Sequence, residues 1–208
     1  MKKLIVSILL VSNLWSFEQN TNFFNPDEFW RYGVLGSLLS AYGTNIMGAT
    51  ESAFEYGQTQ EGTSGEIADV FKFIFKWDKK VIYQGERFKI DWYWMSDIGR
   101  FELRGTSVGD GANDTLGITP VFRYSYELSW FRPYIEVGVG LYWVADTTYL
   151  GRTLSTHFQF GDLLTFGTYL GKEKRWHIAY KFFHHSNGEV VQPNHGFGME
   201  LVSIGYRY

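Results

Sequence analysis

The chain has 208 residues, enough for one full-sized domain, and no shift in composition marks a second. A net charge of -3 with lysines and arginines scattered rather than clustered leaves no basic face for nucleic acid. The absence of cysteine excludes disulfides, a thiol nucleophile and a thiolate metal site, while aromatics at 19% with a mean hydropathy of only -0.19 spread much apolar surface among polar residues.

In chain order, "MKKLIVSILLVSNLWS" places Lys2 and Lys3 before an apolar run from Leu4 to Val11, the layout of a secretory signal peptide ending near Ser16. The run is too short for a membrane-spanning helix, which needs about 20 residues. Residues 17–48 form a segment without an assigned role, in which Asn25 and Pro26 predict the start of a short helix.

Beyond it the hydrophobic period is two. A weaker strand is predicted at 49–57. In 67–77, Phe71, Phe73, Phe75 and Trp77 oppose Lys72, Ile74 and Lys76. In 88–94, Phe88, Ile90, Trp92 and Trp94 oppose Lys89, Asp91 and Tyr93. The alternation continues with Phe122, Tyr124 and Tyr126, with Ile135 through Trp143, with Phe158, Phe160, Leu164 and Phe166, with Trp176 through Phe182, and with Val202 through Tyr208. These segments predict eight amphipathic strands.

Alternation alone does not separate a soluble barrel from a membrane one. Side-chain size does. The interior of an eight-stranded barrel is just wide enough for side chains, so the face rich in Gly, Ala, Ser and single charges belongs inside and the Trp, Phe and Tyr face outside, against lipid. Longer connections at 58–65, 97–117, 146–152 and 187–195 alternate with shorter ones near 78–85, 129–131 and 171–173. That is the asymmetry of an outer-membrane barrel with periplasmic termini, and it puts residues 184–196 at the extracellular rim.

There the sequence reads "HHSNGEVVQPNHG". By parity His184 and Ser186 extend the outward row of the penultimate strand, while His185 faces inward as a satisfied interior residue. This opposite orientation argues against the two histidines chelating one metal. Residues two apart on a strand lie about 6.5–7 Å apart, within reach of an imidazole and a hydroxyl, so a nucleophile and base pair is available. The alternative is a plain polar pair at the end of a hairpin.

The motif resembles the PagL-like lipid A 3-O-deacylases, also called acyloxyacyl hydrolases, whose pattern is His-x-Ser-Asn, a short loop, then Gln/Lys-Pro-Asn-x-Gly. It is carried here by "HHSN" at 184–187 and "QPNHG" at 192–196, supported by "PVFRYSY" from Pro120, "RPYIEVGVG" from Arg132 and "STHFQFGD" ending at Asp162. The resemblance spans roughly 117–208. It implies hydrolysis of an ester-linked 3-hydroxyacyl chain of lipid A in the outer leaflet, without metal or organic cofactor. In that reading Ser186 is the nucleophile, His184 the general base, and Asn187 with Asn194 the oxyanion donors.

The acid departs from the pattern. The family glutamate falls on Gly198 in a gapless match, and Glu200, on the same outward face, is the carboxylate the sequence offers in its place, delivered by a bulge at 196–198; the alternative is a charge beyond the membrane edge. "GTSVG" at 105–109 matches a nucleophile-elbow expression but lacks the following helix, and "GDGAND" lacks the ligand spacing of a calcium loop. Two other classes remain open: a structural or lipid-binding barrel without activity, and a soluble lipid carrier. Whether the barrel is a monomer or a homodimer is left open too.

Overall fold

Strands that are apolar on one face and hold buried charge on the other have one economical solution, closure into a ring that removes every free edge. The structure, a computed structural model, describes residues 48–63, 65–103 and 112–208. Among these residues ten strands are formed: β1 (Glu51–Thr59), β2 (Ala68–Gln84), β3 (Phe88–Leu103), β4 (Ala112–Tyr126), β5 (Phe131–Val144), β6 (Thr148–Tyr149), β7 (Arg152–Thr153), β8 (Phe158–Leu170), β9 (Trp176–Ser186) and β10 (Phe197–Arg207). Eight of them close an antiparallel barrel in the order β1-β10-β9-β8-β5-β4-β3-β2, and β6 and β7 make a separate small hairpin. The predicted leader at 1–16, all of segment 17–48 but its last residue, the short helix within it, and the "GTSVG" stretch lie outside the described residues.

Orientation follows the size argument. Phe122, Tyr124, Val139, Leu141, Phe166, Ile178, Phe182 and Val202 are all exposed on the outer face. Such an apolar belt needs lipid around it. The interior holds fully buried polar and charged groups. Arg123 is the largest of them: its Nε donates to Glu136 at 2.6 Å, and its two terminal nitrogens donate to the two carboxylate oxygens of Glu51, each at 3.0 Å. Lys76 bridges to Glu136 at 3.3 Å, and Lys72 to Asp97 at 3.1 Å. The interior is less uniformly small than expected, since Tyr93, Tyr134, Tyr142 and Tyr169 also point inward. Gly117 and Gly161 make room for one of them: a Cβ at either would come within 2.4 Å of the Tyr142 ring.

Three strands run further than their alternation indicates. β2 continues from Trp77 to Gln84 through register shifts between Trp77 and Lys80 and between Val81 and Tyr83, with Asp78 at a φ of 53°. An inserted residue breaks the period of two while the ladder carries on. β3 and β4 extend through most of the expected 97–117 loop, Asp97 pairing with Gly117 and Glu102 with Ala112. Inward Asp97 and the glycines there hide the strand pattern. The turn between β2 and β3 shrinks to 85–87, which sharpens the alternation of connections: 85–87, 127–130 and 171–175 at one end, and 60–67, 145–157 and 187–196 at the other.

Candidate active site

The outward row of β9 runs Trp176, Ile178, Tyr180, Phe182, His184 and Ser186, ending at the long-connection rim. Register fixes its neighbours. On β8, Asp162 stands opposite His184 and Phe160 opposite Ser186; on β10, Gly198 stands opposite His184 and Glu200 opposite Phe182. Asp162 Oδ1 lies 3.1 Å from His184 Nδ1, both side chains about half exposed. Asp162 closes the "STHFQFGD" stretch, and the family pattern assigns it no role. The signal was present: a carboxylate between Phe160 and Leu164 on a lipid-facing row is costly and calls for a partner.

His184 Nε2 makes no hydrogen bond among the described residues, nor does the Ser186 hydroxyl, so the two are adjacent on the face without being bonded. Such contacts commonly tighten when substrate binds. Gly196 sits beside the imidazole with a φ of 48°, and a Cβ there would come within 2.9 Å of Nε2 and 3.0 Å of the His185 carbonyl oxygen. A side chain at 196 would be strained by its backbone and would crowd His184 Nε2.

The two asparagines are held differently. The Asn187 side-chain amide is buried and donates to the carbonyls of Leu154 (2.8 Å) and Val191 (2.7 Å), so both of its N–H groups are committed within the loop. Its backbone N–H donates to Asn194 Oδ1 at 3.0 Å. Fixing that oxygen leaves Asn194 Nδ2 as a donor without a partner among the described residues. The loop is fastened further by Arg152, which donates to the carbonyls of Gly196 (2.8 Å) and Glu61 (2.9 Å), and by Ser155, whose hydroxyl donates to the Pro193 carbonyl at 2.6 Å. Neither residue stands out in the sequence; such contacts bring distant loops together and leave no periodic trace.

Glu200 is on the outer face, as its parity requires, but the structure does not bring it to His184. It accepts a hydrogen bond from the Tyr180 hydroxyl and lines a shallow groove of about 420 Å³ with Tyr56, Gln58, Gln60 and Val202. No bulge interrupts the β9–β10 register between Phe197 and Tyr206. His185 is interior, yet not satisfied as expected: neither ring nitrogen has a hydrogen-bond partner among the described residues, and the ring packs against Tyr142, Phe183, Phe101 and Phe197 instead. No cluster of three or more metal-ligating side chains occurs among the described residues.

With this geometry in place, comparisons with known proteins converge. Residues 64–207 match the family model described as lipid A 3-O-deacylase (PagL). A lipid A deacylase PagL of Pseudomonas aeruginosa is 26% identical over 84% of this chain and 94% of its own length. One of Bordetella bronchiseptica is 32% identical over 43% of this chain and 46% of its own. The barrel also superposes on a crystal structure of the outer membrane enzyme PagL with a TM-score of 0.62 at 20% identity, covering 76% of this chain and 99% of that one; this likeness speaks for the fold.

Proposed function

The chain belongs to the lipid A 3-O-deacylase (PagL) family of outer-membrane ester hydrolases, and on that premise we propose that it removes the ester-linked 3-hydroxyacyl chain of lipid A by serine chemistry on the outside of the barrel. The observation that carries the reading is the placement of His184 and Ser186 at alternate outward positions at the end of β9, with His184 Nδ1 beside a carboxylate and Nε2 uncommitted.

The Ser186 hydroxyl oxygen attacks the ester carbonyl carbon while its proton passes to His184 Nε2. The tetrahedral intermediate collapses with cleavage of the bond to the sugar oxygen, which takes the proton from His184. Water then attacks the acylated Ser186, again giving its proton to His184, and the fatty acid leaves as the serine hydroxyl is restored. Asn194 Nδ2 is the side-chain donor available to the oxyanion. Asn187 acts one step back, by holding Asn194 and the loop.

Loss of one hydroxyacyl mass from lipid A of cells expressing the parent, and not of cells expressing folded Ser186→Ala, is the expected mass-spectrometric result. Unchanged lipid A beside properly inserted parent protein would leave a barrel without this activity. Within the same scheme, Asn194→Ala should lower kcat by about 10²–10³-fold with little change in KM, the usual cost of one oxyanion donor. Asn187→Ala should instead open the loop 187–196 to protease. Equal kcat for Asn194→Ala and the parent would remove Asn194 from the reaction.

A further inference from the structure

We propose that Asp162 is the carboxylate that positions His184, so that this chain draws its acid from β8, on the opposite side of β9 from the position the family pattern uses. The inference rests on reading Ser186 and His184 as nucleophile and base.

A strand inside a sheet has two neighbours, and a side chain on it can be gripped from either. On the β10 side the residue opposite His184 is Gly198, which has no side chain to offer. The space is taken: a Cβ on Gly198 would lie 2.8 Å from Cδ and Oε1 of Gln60, so a neutral amide covers this flank. Glu200 is one outward position further along, opposite Phe182, and bonded to Tyr180. On the β8 side the residue opposite His184 is Asp162, and its Oδ1 is 3.1 Å from Nδ1.

That contact has a chemical consequence. A carboxylate at Nδ1 keeps the proton on that nitrogen and leaves Nε2 as the lone-pair acceptor, the tautomer a base for Ser186 requires. It also stabilises the imidazolium that forms when the serine proton arrives. The placement answers why an aspartate interrupts the outward row of Phe158, Phe160, Leu164 and Phe166 at all. Asp162 touches no reacting atom; it acts through His184 and is a positioning residue.

The test uses the full chain folded in detergent micelles, with Asp162→Asn, Asp162→Glu, Glu200→Gln and the double variant Asp162→Asn/Gly198→Glu. Two rates are measured: release of the acyl chain from lipid A, and labelling of Ser186 by a fluorophosphonate. In the label reaction the serine oxygen bonds to phosphorus, fluoride leaves and the serine proton goes to His184. Asp162→Asn should lower kcat by about 10²–10⁴-fold with KM within about twofold, by analogy with neutralising a triad aspartate, and should slow labelling in parallel. Asp162→Glu should recover part of the rate. Gly198→Glu in the Asp162→Asn background should recover about tenfold or more, because the Gln60 amide is a flexible end that can yield to the new side chain.

Full kcat in Asp162→Asn, with the parent deacylating lipid A, overturns the assignment and leaves the proposed function standing. A fall confined to Glu200→Gln gives the role to Glu200. A loss in Asp162→Asn that neither carboxylate restores marks a structural residue and overturns it as well. Labelling that depends on Asp162 in a protein that leaves lipid A intact upholds the positioning role and refutes the substrate instead.

Discussion

Ser186→Ala and His184→Ala are each expected to lower kcat for acyl-chain release by on the order of 10⁴-fold or more, and the double variant is expected to lose no more than either alone. In the proposed scheme nucleophile and base act as a unit: without the hydroxyl there is nothing for the imidazole to deprotonate, and without the imidazole the hydroxyl is a poor nucleophile at neutral pH. Effects of such a pair are therefore far from additive. Residual rates should stay above the uncatalysed one through binding and the oxyanion donor, which both variants retain. The measurement is release of 3-hydroxy fatty acid from purified lipid A, using protein shown to be folded by its resistance to unfolding in unheated detergent. Losses that multiply in the double variant would mean that the two side chains act independently, and the scheme of proton transfer between them would fall.

The barrel and one side of this site are legible in the sequence for the same reason. Period-two alternation alone assigns every strand residue to a face, so Phe182, His184 and Ser186 share the outside and His185 does not. Residue size then decides which face is outside. What alternation does not carry is register. That Asp162 rather than Glu200 stands opposite His184 depends on the pairing of β8 with β9 and of β9 with β10, set by connections whose internal contacts have no period. Strand ends blur where the pattern is locally broken, as at Asp78 in β2 and at the polar outer ends of β3 and β4. The two asparagines illustrate a related limit: their residue type predicts donors, but only the loop's hydrogen bonds show that Asn187 has already committed its amide.

Arg123→Met is expected to destabilise the barrel by about 3–5 kcal/mol, the cost of removing one partner from a buried ionic group. The network lies where Glu51 begins β1 beside Arg207 of β10, at the end of the barrel away from Ser186. Arg123 donates to both oxygens of Glu51 and to Glu136, and its guanidinium sits 4.7 Å from the centre of the Tyr93 ring and 4.9 Å from that of Tyr134. A methionine fills much of the same volume but leaves two buried carboxylates with Lys76 and Lys79 as their cationic partners among the described residues. Arg123→Lys should cost less than Arg123→Met yet more than nothing, because an ammonium does not reproduce the fork that meets Glu51. The decisive variant is Arg123→Met with Glu51→Gln and Glu136→Gln: if the penalty comes from unpaired charge, neutralising both carboxylates should return much of the lost stability, although more hydrogen-bonding groups have been altered. Equilibrium urea unfolding in lipid vesicles, followed by tryptophan fluorescence, reads each step. Since the site is carried at the opposite rim, kcat per folded molecule should stay near the parent value in Arg123→Met. A fall in kcat without a fall in unfolding free energy would show that the interior network reaches the outer surface and would overturn the separation between what holds the barrel together and what makes it a catalyst.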